Sequence, residues 1–304
     1  MAQFDRVYKI TLGVQGADGI VIEGKAKKQG LEIEFDISKS LSKNCNACSL
    51  KIYNLSSATA AKLEKSDTIC ILEVGYSEDT GAKRIFIGWV TDCYSYLNGS
   101  DRVTELKLYD GQVAIRDSIV SLSYADAVSR KKVIDDVAAD MGLMVNYAED
   151  CAFTGFANGF SFLGAGRDCL TKACDGSDLQ WSIQNNAIQV IKVGGSTNIE
   201  AIKLTPESGL IGAVEKILKS PKRTDKKQSQ SKPKKKKRDK KAGWRVTCLL
   251  QPTLNPGDLI YVESKVITGW FKIESLKHSG SYSGQNWYTE MEVYEVKAEE
   301  GGAE

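Results

Sequence analysis

The chain states one strand pattern twice, and that repetition limits what it can fold into. Residues 88–109, GWVTDCYSYLNGSDRVTELKLY, run from a Gly-Trp through a polar Gly/Ser turn to a Thr-Glu and an alternating strand ending in Tyr. Residues 269–294, GWFKIESLKHSGSYSGQNWYTEMEVY, follow the same course. A matching strand opening precedes each copy, SDTICIL from Ser66 and GDLIYVE from Gly257. Catalytic centres seldom require such duplication, so the repeat predicts a scaffold containing two copies of one β-module. Trp89 and Trp270 take corresponding places in the two copies, as structural aromatics of module cores or of contacts between subunits.

The rest of the chain fits around these copies. LEIEFDI alternates strictly, placing Leu31, Ile33, Phe35 and Ile37 on one face of a strand, and CSLKIYNL (48–55) alternates again. SSATAAKLEKSD reads as a short helix capped by Ser56 or Ser57. Strands at 69–76, 84–94 and 103–109 complete a first β-module over 1–112, closed by the turn signal Asp110-Gly111. Between 113 and 199 the periodicity becomes helical. A helix over 126–141 carries Ile134, Val137, Ala138 and Met141 on one face and ends at Gly142, and a shorter one covers 167–174. LQWSI and AIQVIKV flank Asn185-Asn186 as a β-hairpin over 179–193, with Leu179, Trp181 and Ile183 inward. Residues 200–296 return to strands as a second β-module, and 297–304 form a flexible tail. The fold class is α+β and mostly β, with two similar β-modules flanking a small α+β domain.

Charge is distributed unevenly. Residues 216–241 hold fourteen Lys or Arg and two Asp, a local +12, which leaves −10 on the remainder of a chain whose net charge is +2. The segment 219–241 interrupts the second β-module as a long surface loop whose Lys, Ser, Gln and Pro cannot bury enough apolar area to order themselves. Its densest part, SKPKKKKRDKK, offers Lys232, Lys234, Lys235, Lys236, Lys237, Arg238, Lys240 and Lys241 to a polyanion. Lysines without interleaved aromatics neutralise phosphates without reading bases, so a nucleic-acid-binding protein acting through this run is the alternative function. A solvated loop that keeps the protein soluble, or a nuclear-localisation pattern, has the same composition.

Chemical signatures are weak by comparison. Cys45 and Cys48 form a CxxC, but a zinc site needs two more ligands, and the chain has no second CxxC and one histidine, His278. His278 falls in LKHSGSY, at the polar end of a strand where an exposed histidine is ordinary, and no nucleophile signature accompanies it. GAGRDCL (164–170) has a Gly-x-Gly before a helix but lacks the third glycine and the preceding strand of a dinucleotide fingerprint, so it reads as a flexible loop capping a helix. Acidic pairs such as Asp135-Asp136 and Glu149-Asp150 keep a cell-wall hydrolase open only as a lesser alternative. The eight cysteines are expected as reduced, mostly buried thiols, since MAQFDRVYKITL lacks the features of a signal peptide. No apolar stretch reaches the eighteen residues or so that a membrane-spanning helix needs. No enzyme, cofactor or metal is expected.

Three segments carry a resemblance to a known family. IEFDISKSLSKNCNACSLKIYNLS (33–56), GWRVTCLLQPTLNPGDLIYVES (243–264) and the repeated copy at 269–294, with the helix and the 179–193 hairpin between them, resemble the baseplate hub proteins of contractile-tailed phages and related tail-like particles. The resemblance implies tube-like β-barrel or sandwich modules. It further implies a homotrimer in which three chains place six modules in a ring that adapts a hexameric tail tube to a trimeric central spike. Implied partners are the tail tube protein, the spike protein and baseplate wedge proteins, with the tape-measure protein or DNA at the basic loop. The implied location is the tail baseplate of a virion assembled in the bacterial host cytoplasm. Two features depart from the family pattern: Cys45-Asn-Ala-Cys48 stands where a Pro-containing turn is expected, and the insertion is unusually dense in Lys.

Overall fold

A computed structural model of the chain describes residues 5–14, 16, 19–63, 68–79, 81–197, 201–217 and 243–296. The first part comprises β1 (Arg6–Val14), β2 (Ile20–Gly24), β3 (Ile33–Ser40), β4 (Ala47–Tyr53), helix α1 (Ser57–Leu63), β5 (Thr68–Tyr76), β6 (Gly81–Asn98) and β7 (Asp101–Tyr109). Alternation decides the faces here: Ile33, Phe35 and Ile37 of β3 and Cys48, Leu50 and Ile52 of β4 are buried, while Glu34, Asp36 and Lys51 stand on the opposite face. Ser56 caps α1 by accepting the Thr59 amide at 3.1 Å.

The middle part contains α2 (Gln112–Asp117), β8 (Ile119–Tyr124), β9 (Val128–Ser129), α3 (Arg130–Met141), β10 (Met144–Tyr147), β11 (Gly155–Phe156), β12 (Phe160–Ala165), α4 (Gly166–Cys174), β13 (Leu179–Gln184) and β14 (Ala187–Lys192). Helix α3 starts four residues later than its periodicity suggests, because Val128 and Ser129 pair with β11 and Ser129 then caps the helix by accepting the Lys132 amide. It ends at Gly142, in the left-handed conformation at φ 66°. Strands β13 and β14 turn through Asn185 and Asn186, both at positive φ (52° and 62°), as a type I′ hairpin requires. α3 and α4 pack on this hairpin around Trp181, Ile134, Val137 and Leu170, with the β8–β12 ribbon alongside.

The last part comprises β15 (Ile202–Leu204), a 3-10 turn at Pro206–Ser208, β16 (Leu210–Ile217), β17 (Gly243–Leu249), β18 (Leu259–Glu263), β19 (Thr268–Ser281) and β20 (Trp287–Glu295). Thirteen strands from the first and last parts form one sheet, whose path runs β16-β17-β20-β19-β3-β4-β7-β6-β5-β1-β2, with β18 also on β19 and β15 on β18. The protein is mostly β, as expected. Closed β-barrels are not what it builds: among the described residues the sheet is open. Instead of returning to its own half, β3 joins β19 of the other half in a seven-residue antiparallel ladder from Ser275↔Ser40 to Ser281↔Glu34. Apolar cores lie on both sides of this seam, and Tyr282 and Trp287 from the last part pack into the core of the first.

Candidate functional site

Cross-strand register shows that the repeat is a four-strand antiparallel unit, β3-β4-β7-β6 in one half and β16-β17-β20-β19 in the other, each a meander only in the loose sense that two antiparallel strand pairs lie side by side. Tyr109 and Tyr294 hold the same place: each lies opposite the first residue of its meander's second strand, Ala47 or Gly243. The long strands bulge at the same step, β6 between Val90 and Asp92 and β19 between Ile273 and Ser275. Glu105 faces Tyr94 in the first meander as Glu290 faces Lys277 in the second, and Thr104 faces Ser95 as Thr289 faces His278. Trp89 lies two residues before its bulge residue and Trp270 four before, so the tryptophans stand two positions apart on the ladder. Trp89 is half-buried beside α2, whereas Trp270 is 47% exposed and packs edge-on against Tyr261.

The bulge is where β19 changes partner. One side of this strand is held by β20 throughout, while the other pairs with β18 as far as Lys272 and with β3 from Ser275 onward. β6 is built the same way, with β7 along one side and β5 on the other as far as Trp89. From Tyr94 to Asn98 that second side has no strand partner among the described residues, and neither has the outer side of β16. Four exposed apolar residues lie at these two edges: Leu97 is 75% exposed, and Tyr94, Tyr96 and Ile211 are also open. An open strand edge is a template for another strand, and native proteins blunt, cover or close such edges.

Under the seam lies a buried polar junction. Lys39, 2% exposed, donates through Nζ to Asn185 Oδ1 and Asn255 Oδ1, both at 2.9 Å. Burial pulls its pKa down to about 8, with Asp110 and Asp258 opposing the shift. Asp258 accepts the Asn255 amide at 2.7 Å and the Thr197 hydroxyl, and burial raises it to about 6. Asp110, also pushed up by burial, accepts the Asn186 amide at 2.6 Å and the Asn46 side chain at 3.2 Å. Asn46 donates further to Ile183 O and Gln184 Oε1. The turn of the β13–β14 hairpin is thus bolted into the seam between the half-sheets. The sequence held one signal for this: 33, 35 and 37 point inward, and the next inward position is Lys39.

Other motifs resolve into packing. His278 is not exposed: it is fully buried, facing the core from the seam strand, with Nδ1 2.9 Å from Thr289 Oγ1, and burial drives its pKa well below the usual imidazole value. Cys48 is buried in β4, Cys45 is half-buried, and burial raises both thiols, opposite to what a reactive or metal-binding thiolate needs. None of the eight cysteines is in a disulfide, and among the described residues no three His, Cys, Asp or Glu gather as metal ligands do. The Gly-x-Gly before α4 is not a loop. β12 runs directly into the helix, and a Cβ at Gly166 would come within 2.6 Å of Ser118 Oγ and 2.9 Å of Met141, so the glycine serves close packing. Lys232, Lys234, Lys235, Lys236, Lys237, Arg238, Lys240 and Lys241, with the whole basic segment, and the tail 297–304 lie outside the described residues. The groove of about 340 Å³ over the polar face of the seam is lined by charges that already pair, Lys277 with Asp36 at 2.7 Å and Lys51 with Glu34 at 3.9 Å. No helix among the described residues is long and apolar enough to cross a membrane.

No family profile matches the sequence, and no curated protein does. Solved structures match along nearly its full length. They include the 43 kDa tail protein of prophage MuSo2 from Shewanella oneidensis, with a TM-score of 0.64 and 13% identity over 94% of this chain and 96% of that one. A tail protein from Neisseria meningitidis MC58 gives 0.62 and 12% over 95% and 96%. A component of the Escherichia coli type VI secretion system, itself similar in structure to T4 bacteriophage tail proteins, gives 0.58 and 8% over 94% of this chain and 77% of that one. The chain therefore has a fold found in phage tail proteins and in a type VI secretion component.

Proposed function

We propose that this chain is a structural hub of a contractile phage-tail baseplate. Three copies form a ring that adapts a hexameric tail tube on one side to a trimeric central spike on the other. The observation that carries this reading is the edge-to-edge seam between two equivalent meanders, since a chain holding two modules in ring-like continuation supplies six from three copies. The work of such a protein is geometric and needs no catalytic residue. Its partners are a second and third copy, the tube and spike proteins and the wedge proteins around them, and its place is the virion baseplate after assembly in the host cytoplasm. The basic segment from Lys232 to Lys241, inserted between β16 and β17, meets DNA or the tape-measure protein in this reading. The test is the mass of the full chain, alone and co-purified with its tube and spike neighbours. Three copies per complex is the expected result, and a monomer that ignores both neighbours would sink the proposal.

A further inference from the structure

The seam inside the chain supplies a template for a contact between chains. β3 uses its outer side to pair with β19 beyond the bulge, and each of these strands has a counterpart in the other meander: β16 for β3 and the distal part of β6 for β19. Both counterparts keep the relevant side open among the described residues. We infer that β16 of one copy adds antiparallel to distal β6 of the next, in the register of the internal seam, with Ile217 opposite Tyr94, Lys216 opposite Ser95 and Glu215 opposite Tyr96.

That register comes from the ladders alone. In the seam Ser38, Ile37 and Asp36 lie opposite Lys277, His278 and Ser279. Ser38, Ile37 and Asp36 face Ala47, Cys48 and Ser49 as Ile217, Lys216 and Glu215 face Gly243, Trp244 and Arg245. Lys277 and His278 face Glu290 and Thr289 as Tyr94 and Ser95 face Glu105 and Thr104. Chemistry agrees with register. An acidic residue, Asp36 or Glu215, stands at the same rung of both junctions, where a hydroxyl-bearing side chain faces it, and Ser279 already donates to Asp36 at 3.4 Å. Pairing would also cover Leu97 and Ile211, two of the apolar side chains that the free chain leaves in water. The two edges are different surfaces, so the contact is head-to-tail and propagates around a ring.

The inference rests on the ring reading for the number of copies, but its contact can be broken separately. Tyr96→Glu places a carboxylate opposite Glu215, and like charges directly opposite one another on a strand pair are unfavourable. The expected result is a dissociation constant for the oligomer raised about fivefold or more per interface, read by mass photometry on the full chain, with the melting temperature of a dilute, monomeric sample unchanged. Adding Glu215→Lys to Tyr96→Glu restores an opposite-charge pair and is expected to restore assembly. A Tyr96→Glu oligomer as tight as the parent overturns this strand pairing and leaves the ring reading standing. A parent chain that stays monomeric with and without its tube and spike neighbours overturns both.

Discussion

The two meanders share strand order, bulge and register, yet they differ in what their edges do. The first spends its outer strand, β3, on the seam, and beneath it lies a buried polar junction. Among the described residues the second leaves the outer side of β16 without a strand partner, and it inserts twenty-five residues (218–242) where the first has a six-residue loop (41–46). One architecture thus serves internal fixation in one half and, in the proposed ring, outward contact in the other. The comparison teaches that strand order and bulge are common to the two copies, whereas edges and loops are where they differ.

The sharpest way to break the comparison is at Lys39. Lys39→Ala takes the ammonium donor from Asn185 Oδ1 and from Asn255 Oδ1, which keeps only the Asn185 amide, and leaves Asp110 and Asp258 without the nearby positive charge, at an expected cost of about 3 kcal/mol in urea unfolding. Lys51→Ala on the open face of β4 is the control. Its pair with Glu34 is long and solvated, and its expected effect stays within about 0.5 kcal/mol. Equal effects at the two sites would show that the junction does not fix the seam.

Asp258 gives the next largest effect, and its sign is opposite to that of most carboxylates. Its folded pKa, about 6, is above the unfolded value of 3.8, so between these pH values the native state holds the proton and the unfolded state does not. Stability from this group is full below about 4 and is lost as pH rises through 6. Asp258→Asn removes the titration. The stability of the parent relative to this variant should therefore fall by about 2 kcal/mol between pH 4 and pH 7, measured by urea unfolding across that range. A difference that rises with pH would place the carboxylate in a different environment from the one described.

These two residues also mark the limit of what the sequence could reveal. Alternation located β3, β4, β7 and β20, and paired asparagines located the β13–β14 turn, because period and turn chemistry are local. Lys39 breaks the expected polarity of an inward position, and only the arrival of Asn185 and Asn255 from distant parts of the chain makes that burial tolerable. His278 misled for the same reason: a polar neighbourhood in sequence became the centre of a continuous sheet once β3 and β20 flanked it. The Gly-Trp pair caught the eye as the mark of the repeat, yet Tyr109 and Tyr294 keep register and the tryptophans do not. The tryptophans stand two positions apart between the copies, whereas ladder and bulge coincide.

Gly280 probes the seam on a smaller scale. A Cβ there would lie 2.2 Å from Phe35 Cζ and 2.9 Å from Trp287, so Gly280→Ala should cost about 1.5 kcal/mol by overpacking. The corresponding rung of β6 holds Leu97, which is 75% exposed, and Leu97→Ala should leave the stability of the single chain within about 0.5 kcal/mol. Thermal unfolding of both variants reads the contrast. A large loss at Leu97 in a dilute, monomeric sample would mean that this edge is already covered within the chain.

The smallest effect separates the hub reading from the nucleic-acid reading. Replacing 218–242 with six Gly/Ser residues gives the second meander a loop the length of the first. For a flexible connection that fourfold shortening lowers the closure entropy by about 1 kcal/mol, so the variant should be slightly more stable. It also removes nearly all of the +12 segment, and salt-sensitive retention on DNA-cellulose should disappear with it. If the protein is a hub, the shortened chain still assembles with its tube and spike neighbours, because β16 ends at Ile217 and keeps the edge that the ring requires. If nucleic-acid binding is instead its principal work, assembly has no reason to occur in either form and the loss of retention is the whole phenotype.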